Sequence, residues 1–303
     1  MKIRLNPIVK KDLQVTVRSM RMSWGLFAYE AVLAVAFLLA LLVIQSASSY
    51  MSSGNIYTYL VYLFPVVAVA QVGIVAMYMP IITASSISGE KERQTFDLML
   101  TTCMSPFSIV FGKVSSAVLR ILFFVAASMP IMALSFVVGG LSWSNLFYYL
   151  LALILFSVFA GSIGILASSL CRKSVAAVLL SFVIYFVIFF MTFLPLLFYA
   201  LMTNGEYGET MLFLLINPMV FFEEVFMQMM RGESIFGQTG GSFYRDDVGF
   251  LTYTLAQGKV WMFLSAGCIL VLSFLFMALA AWKVNPMHSG SGRRRVKKKS
   301  GQE

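Results

Sequence analysis

Histidine and cysteine are nearly missing from this chain. One histidine, His288, and three cysteines, Cys103, Cys171 and Cys268, are spread over 303 residues. A lone histidine excludes histidine dyads and an H-E-x-x-H zinc site. Three widely spaced cysteines supply neither a disulfide framework nor a zinc cluster. Charge is scarce as well: Asp, Glu, Lys and Arg make up 12% of the residues, against about 25% in a soluble domain. No G-x-x-x-x-G-K-[ST] loop is formed at Gly112-Lys113, which lacks the upstream glycine and the following hydroxyl residue, so the chain is not expected to hydrolyse nucleotide itself. The apolar stretches hold no paired aspartates and no ladder of acidic residues. A membrane enzyme is thereby left without catalytic groups, and an ion-coupled carrier without its relay.

What remains is apolar. Hydrophobic residues account for 60% of the chain and the mean hydropathy is +0.87. A spanning helix needs about 20 mostly apolar residues, and six stretches qualify: 26–45, 57–83, 108–138, 146–170, 175–202 and 260–282. The fold class is therefore all-α integral membrane with six transmembrane helices. Pro65, Pro80, Pro130 and Pro195 fall inside these runs and are expected to kink rather than end them, because neighbouring groups re-satisfy the freed carbonyls.

The net charge of +9 does not read as nucleic-acid binding, because the basic residues flank apolar runs instead of forming one basic face. Lys10, Lys11, Arg18 and Arg21 precede the first run, Lys91, Arg93 and Lys113 lie between the second and third, and Arg172 and Lys173 between the fourth and fifth. Lys283 and the Arg293–Lys299 cluster follow the last, while the segments 46–56 and 139–145 have no lysine or arginine and 203–259 is mainly acidic. Positive-inside asymmetry then puts both termini in the cytoplasm. The N-terminus does not read as a cleaved signal, its apolar run being too long for one.

Two segments are neither span nor simple loop. In 8–24, Val9, Leu13, Val17, Met20 and Trp24 recur every three or four residues among basic residues, as in an interfacial helix on anionic lipid; a plain basic flank would show the same charge. The run 211–230 is apolar but interrupted by Asn217-Pro218 and Glu223-Glu224, and is expected to form short helices at the outer face. The glycine-rich 232–249 reads as a connection, and 289–303 as a disordered basic tail. Residues 1–288 thus form one transmembrane domain, with a loop at 84–107 and an outer loop at 203–259. Two charges fall within runs, Glu30 and Arg120. They are interface anchors or an intramembrane polar pair.

The loop "SISGEKERQTFDLMLTTCMSP" lies on the cytoplasmic side in this topology. On a helix Phe96, Met99, Leu100 and Cys103 share one apolar face, and Pro106 ends it. That face suits packing on the membrane surface or docking into a partner's groove. The longer stretch "SISGEKERQTFDLMLTTCMSPFSIVFGKV" resembles the loop of type-2 ABC-transporter permeases through Ser88, Gly89, Glu90, Lys91, Glu92, Arg93, Thr95, Asp97, Leu98, Leu100, Ser105, Pro106, Gly112 and Lys113. The opening "NPIVKKDL", the six runs and the long outer loop are similar to the family more loosely. Cys103-Met104 departs from the small or Thr-Pro-like pair often found there.

The resemblance implies that 95–104 is a coupling helix seated in a groove of a separate ATPase subunit, with Glu90, Arg93, Thr95, Phe96, Met99, Leu100 and Cys103 at the contact. It implies two ATPase subunits, which hold the ATP and magnesium, a second permease chain (identical or related), export, and residence in a bacterial cytoplasmic membrane. This chain would bind no cofactor itself. Small residues at four-residue spacing, Ala160, Gly164 and Ser168, would pack the spans closely enough to transmit motion. An alternative is a non-transporting ABC-type mechanotransmission or sensor module. The roughly 55-residue outer loop is short for a folded domain and favours transport. The Phe, Met, Leu and Tyr content of the spans suits an amphipathic cargo as well as ordinary lipid contact.

Overall fold

The computed structural model describes residues 19–50, 60–95, 105–202, 209–232, 234–235, 255 and 259–284. Among them the regular structure is helical: α1 Met20–Tyr50, α2 Leu63–Glu92, α3 Pro106–Ala127, α4 Met129–Val138, α5 Trp143–Leu170, α6 Ser174–Met191, α7 Leu194–Met202, α8 Pro218–Met230 and α9 Val260–Val284, with a 3-10 segment Glu209–Ile216 before α8. Six stretches are long and apolar enough to cross a bilayer, which makes this an all-α, multi-pass membrane protein. Helices suit such sequences because every backbone polar group is satisfied within the segment where lipid offers no partner. Most of the expected interfacial helix at 8–24, the connection beyond residue 235 and the basic tail lie outside the described residues.

Three boundaries differ from those the sequence suggests. α1 begins at Met20, so residues 20–24 of the expected interfacial helix run on into the first span. The second span was expected to end near 83, but α2 continues to Glu92. The serines that read as loop instead return their hydroxyls to the helix: Ser85 donates to the Ile82 carbonyl, Ser86 to Thr83 and Ser88 to Ala84. At 30 residues α2 is about 45 Å long, more than the roughly 30 Å hydrocarbon layer, so its charged last turns project beyond the lipid. The third run is divided at Ser128, with Pro130 in the first turn of α4.

The prolines act according to position. Pro65 sits in the first turn of α2, where its missing N–H costs nothing, and Pro80 lies within the continuous helix. At Pro130 the backbone of Ser128 stays right-handed helical and the bonds Ser128 N to Phe124 O and Met132 N to Ser128 O carry through. α6 gives way to α7 just before Pro195: Phe193 N turns to the Phe190 carbonyl, and the Phe189 carbonyl accepts from Thr192 Oγ1 and from Asn217 Nδ2. Asn217 also donates to Thr192 Oγ1 and caps α8 by accepting from Met219 N. It stands at the 97° corner between the 3-10 segment and α8. A bend so sharp excludes a straight crossing and leaves two short helical pieces where 211–230 was expected to form short helices.

α5 is the centre of the bundle and packs mainly against α2 and α9. Ala160, Gly164 and Ser168 on one of its faces are small and buried, which lets the α2 backbone come close. A Cβ added at Gly161 would meet Met79 Cε at 3.0 Å and Val114 Cγ1 at 3.3 Å. At Gly164 it would overlap Thr83 Oγ1 and lie 3.0 Å from Thr83 Cβ and 3.2 Å from the Ala84 nitrogen. Ser168 Oγ reaches into α2 and accepts from the Ile87 and Ser88 amides at 3.0 and 2.8 Å. The expected small-residue seam is this α2–α5 contact. Gly164→Ala is therefore expected to destabilise the protein by roughly 1–3 kcal/mol through overpacking, lowering its thermal midpoint in detergent. Adding Thr83→Ala should recover part of the loss, since it removes the overlapping hydroxyl but leaves the Ala84 backbone in place.

Candidate functional site

The last turns of α2 hold Gly89, Glu90, Lys91 and Glu92, and each charge meets a different helix. Glu90 Oε1 is paired with Lys113 Nζ of α3 at 2.7 Å, and Lys113 also donates to the Ser86 carbonyl at 3.0 Å. Lys113 is 9% exposed and Glu90 30%, so the pair is only partly shielded from water. The other carboxylate oxygen of Glu90 is buried with no hydrogen-bond partner. Lys91 Nζ points at the C-terminus of α5 and donates to the carbonyls of Ser168, Ser169 and Cys171 at 3.3, 2.5 and 3.3 Å. Those carbonyls have no intrahelical donor and carry the negative end of the helix dipole. Glu92 Oε2 accepts from Ser174 Oγ at 2.7 Å and from Ser174 N at 3.3 Å, at the positive end of α6. Consecutive residues of opposite charge thus serve opposite helix ends across one short turn, 171–173.

α2 stops just after this clamp. Thr95 N bonds to Glu90 O and Gln94 N to Lys91 O, the paired bonds of a Schellman ending. Gln94 adopts φ +59°, which costs a side-chain-bearing residue roughly 1 kcal/mol relative to glycine. Thr95 Oγ1 adds a weak bond to Glu90 O at 3.4 Å, and Arg93 is exposed beside it. On the far side of the loop Ser105 caps α3 by accepting from Ser108 N, with Pro106 at the first helical position. Both ends of the loop are therefore fixed. The intervening Phe96, Met99, Leu100 and Cys103 lie outside the described residues.

The other sequence candidates, Glu30 and Arg120, are not joined: between described residues the one ion pair is Glu90–Lys113. Glu30 Oε1 is buried without a hydrogen-bond partner, and Arg120 lies beside the Tyr78 hydroxyl. The intramembrane polar centre is uncharged and one residue away. Gln71 of α2 donates to Tyr29 Oη of α1 at 2.7 Å and to Ser128 Oγ at 3.1 Å, and accepts from Tyr149 Oη of α5 at 2.8 Å. Ser128 spends its only hydrogen on the Val125 carbonyl, so Tyr29 must be the donor in their 3.3 Å contact. Every polar atom of the Gln71 amide is then matched, and four elements are tied at one buried point.

Sequence reasoning matched Lys91, Glu92 and Lys113 to a pattern but did not assign them a contact; it placed Ser168 in the small-residue seam without its hydrogen bonds to α2, and it missed Ser174 and the Gln71 centre. The alternating signs of Glu90-Lys91-Glu92 were the available signal. No group of His, Cys, Asp or Glu suited to a metal ion occurs among the described residues.

Six candidate spans, with the charged last turns of α2 held by three other helices, define a multi-pass membrane protein. The model of the ABC-2 family transporter proteins matches residues 6–284. The chain belongs to that family and is the membrane subunit of an ABC transporter. No curated protein matches it.

The grip of Lys113 on Glu90 is open to a stability test. Lys113→Met should lower stability by about 1–3 kcal/mol, because it leaves a partly buried carboxylate unmatched. Glu90→Gln combined with Lys113→Met should cost less than Lys113→Met alone when their denaturation midpoints are compared in detergent.

Proposed function

We propose that this chain is the permease of an ATP-driven exporter, assembled from two permease chains and two ATPase subunits in a bacterial cytoplasmic membrane. Both termini face the cytoplasm, and basic segments at 8–24 and 289–303 contact anionic lipid. ATP and magnesium belong to the partner subunits. Residues 95–104 form the helix that sits in the ATPase groove, with Phe96, Met99, Leu100 and Cys103 towards the groove and Glu90, Arg93 and Thr95 at its edge.

The observation that carries this reading is the clamp at the end of α2. A loop that merely joined two spans would not require its first charges to hold α3, the end of α5 and the start of α6. A loop that receives force does. Displacement of the docked segment would pass through Glu90 to α3, and through Lys91 and Glu92 to the α5–α6 turn, so that several spans move together. ATP binding in the partner supplies the differential affinity that any such change requires. No polar relay in the spans competes with it as an energy source.

The test is co-purification of the permease with its cognate ATPase from detergent. Phe96→Asp with Leu100→Asp places two charges where burial would cost several kcal/mol. Loss of the ATPase from a permease that still inserts and elutes as wild type is the expected result. Retention at wild-type stoichiometry would remove 95–104 as the coupling contact.

A further inference from the structure

A cleft of about 520 Å³ opens between α2, α5, α6 and α8. Phe156 of α5, Phe189 of α6, and Phe222, Phe226 and Met227 of α8 line it, and Glu223 is the single charged residue among its walls. The rings are held by one another: Phe156 and Phe222 meet edge to face at 5.3 Å, and Phe222 and Phe226 lie 6.2 Å apart.

α8 carries two consecutive glutamates with different surroundings. Glu224 is fully buried and accepts from Gln228 Nε2, Ser234 Oγ and Ile235 N at 3.1, 2.9 and 2.9 Å. Its carboxylate holds the chain that leaves α8. Glu223, about 100° further round the helix, is exposed and forms no hydrogen bond or ion pair among the described residues. It supports no part of the fold. A carboxylate beside an apolar wall is costly without a counter-charge and attracts one more strongly than it would in water. Aromatic faces favour cations as well, and thioethers adapt to varied hydrocarbon shapes.

We infer that this cleft binds an amphipathic cation, with its hydrocarbon part among the rings and its positive group at Glu223. As the cargo class of the proposed exporter the inference rests on that reading; as a binding site it does not.

The test is equilibrium binding of radiolabelled tetraphenylphosphonium to the full chain in nanodiscs of zwitterionic lipid, with no ATPase present. Saturable binding is expected, displaced by dodecyltrimethylammonium and not by dodecanol. Glu223→Gln, at an exposed position with no structural bond, should weaken binding by about tenfold, the factor lost with one favourable charge contact, and Glu223→Asp should restore most of it. Unchanged affinity in Glu223→Gln would overturn the inference. So would displacement by dodecanol as effective as by the cation, which would make the space an acyl-chain cleft. Crosslinking of Met227→Cys between two copies, with Cys103, Cys171 and Cys268 replaced by serine, would make it a subunit interface and would also overturn the site. Because the assay contains no ATPase, loss of docking in the Phe96/Leu100 double variant leaves its result unchanged. Conversely, failure of cation binding leaves the docking reading intact.

Discussion

The charged end of α2 stands where lipid gives way to water, and the rest of the bundle is arranged around how its three charges are matched. Glu90 has a lysine, Lys91 has the open carbonyls of α5, and Glu92 has the first amide and hydroxyl of α6. Only the first of these is an ion pair. The other two use helix ends as partial charges, which keeps α5, the short turn at 171–173 and α6 in register with α2. The loop that follows therefore leaves from a platform shared by four spans.

What lies deeper makes that platform stiff. The α2–α5 seam is close enough that Gly164 has no room for a methyl group, and Ser168 hydrogen-bonds into the α2 backbone. Within the first third of α1 and of α2 the uncharged centre of Gln71, Tyr29, Ser128 and Tyr149 fastens α1, α2, α5 and the α3–α4 junction. Individual hydrogen bonds inside membranes are worth little, about 0.6 kcal/mol on average. A network whose members are all matched nevertheless fixes one arrangement, because each alternative leaves a buried polar group bare. Rigid elements with matched contacts are what carry coupling between distant places. The 3-10 segment and α8 are attached differently, through Asn217, which bonds to the end of α6, and through Ser265 of α9, which donates to the Leu215 carbonyl.

Much of this was legible from the residues. Six spans followed from run length, and the small-residue seam from the spacing of Ala160, Gly164 and Ser168, because both depend on nearest neighbours along a helix. Kinks were expected at four prolines; the helix runs on through Pro65 and Pro80 and is divided beside Pro130 and Pro195. The clamp was not, since Lys91 and the α5 carbonyls are nearly 80 positions apart and those carbonyls belong to the backbone, which has no sequence signature. The α2 extension was missed because serine and glycine read as loop when their side chains' return bonds are unseen. Glu30 and Arg120 drew notice as charges in apolar runs, whereas the matched polar centre used Tyr29 and Gln71, which composition ranks as unremarkable.

The central claim is that the loop's base and the α5–α6 turn move as one body when nucleotide acts on the assembled transporter. Spin labels at Arg93→Cys and Val175→Cys, with Cys103, Cys171 and Cys268 replaced by serine, report the distance across the clamp, and labels at Arg93 in two permease copies report the movement of the loops. Pulsed electron resonance before and after trapping with ATP and vanadate should show the distance between copies changing while the distance within one chain keeps both its mean and its width. A shift or broadening within the chain, at the same time as the loops move, would mean that the loop swings free of the spans and that the clamp transmits nothing.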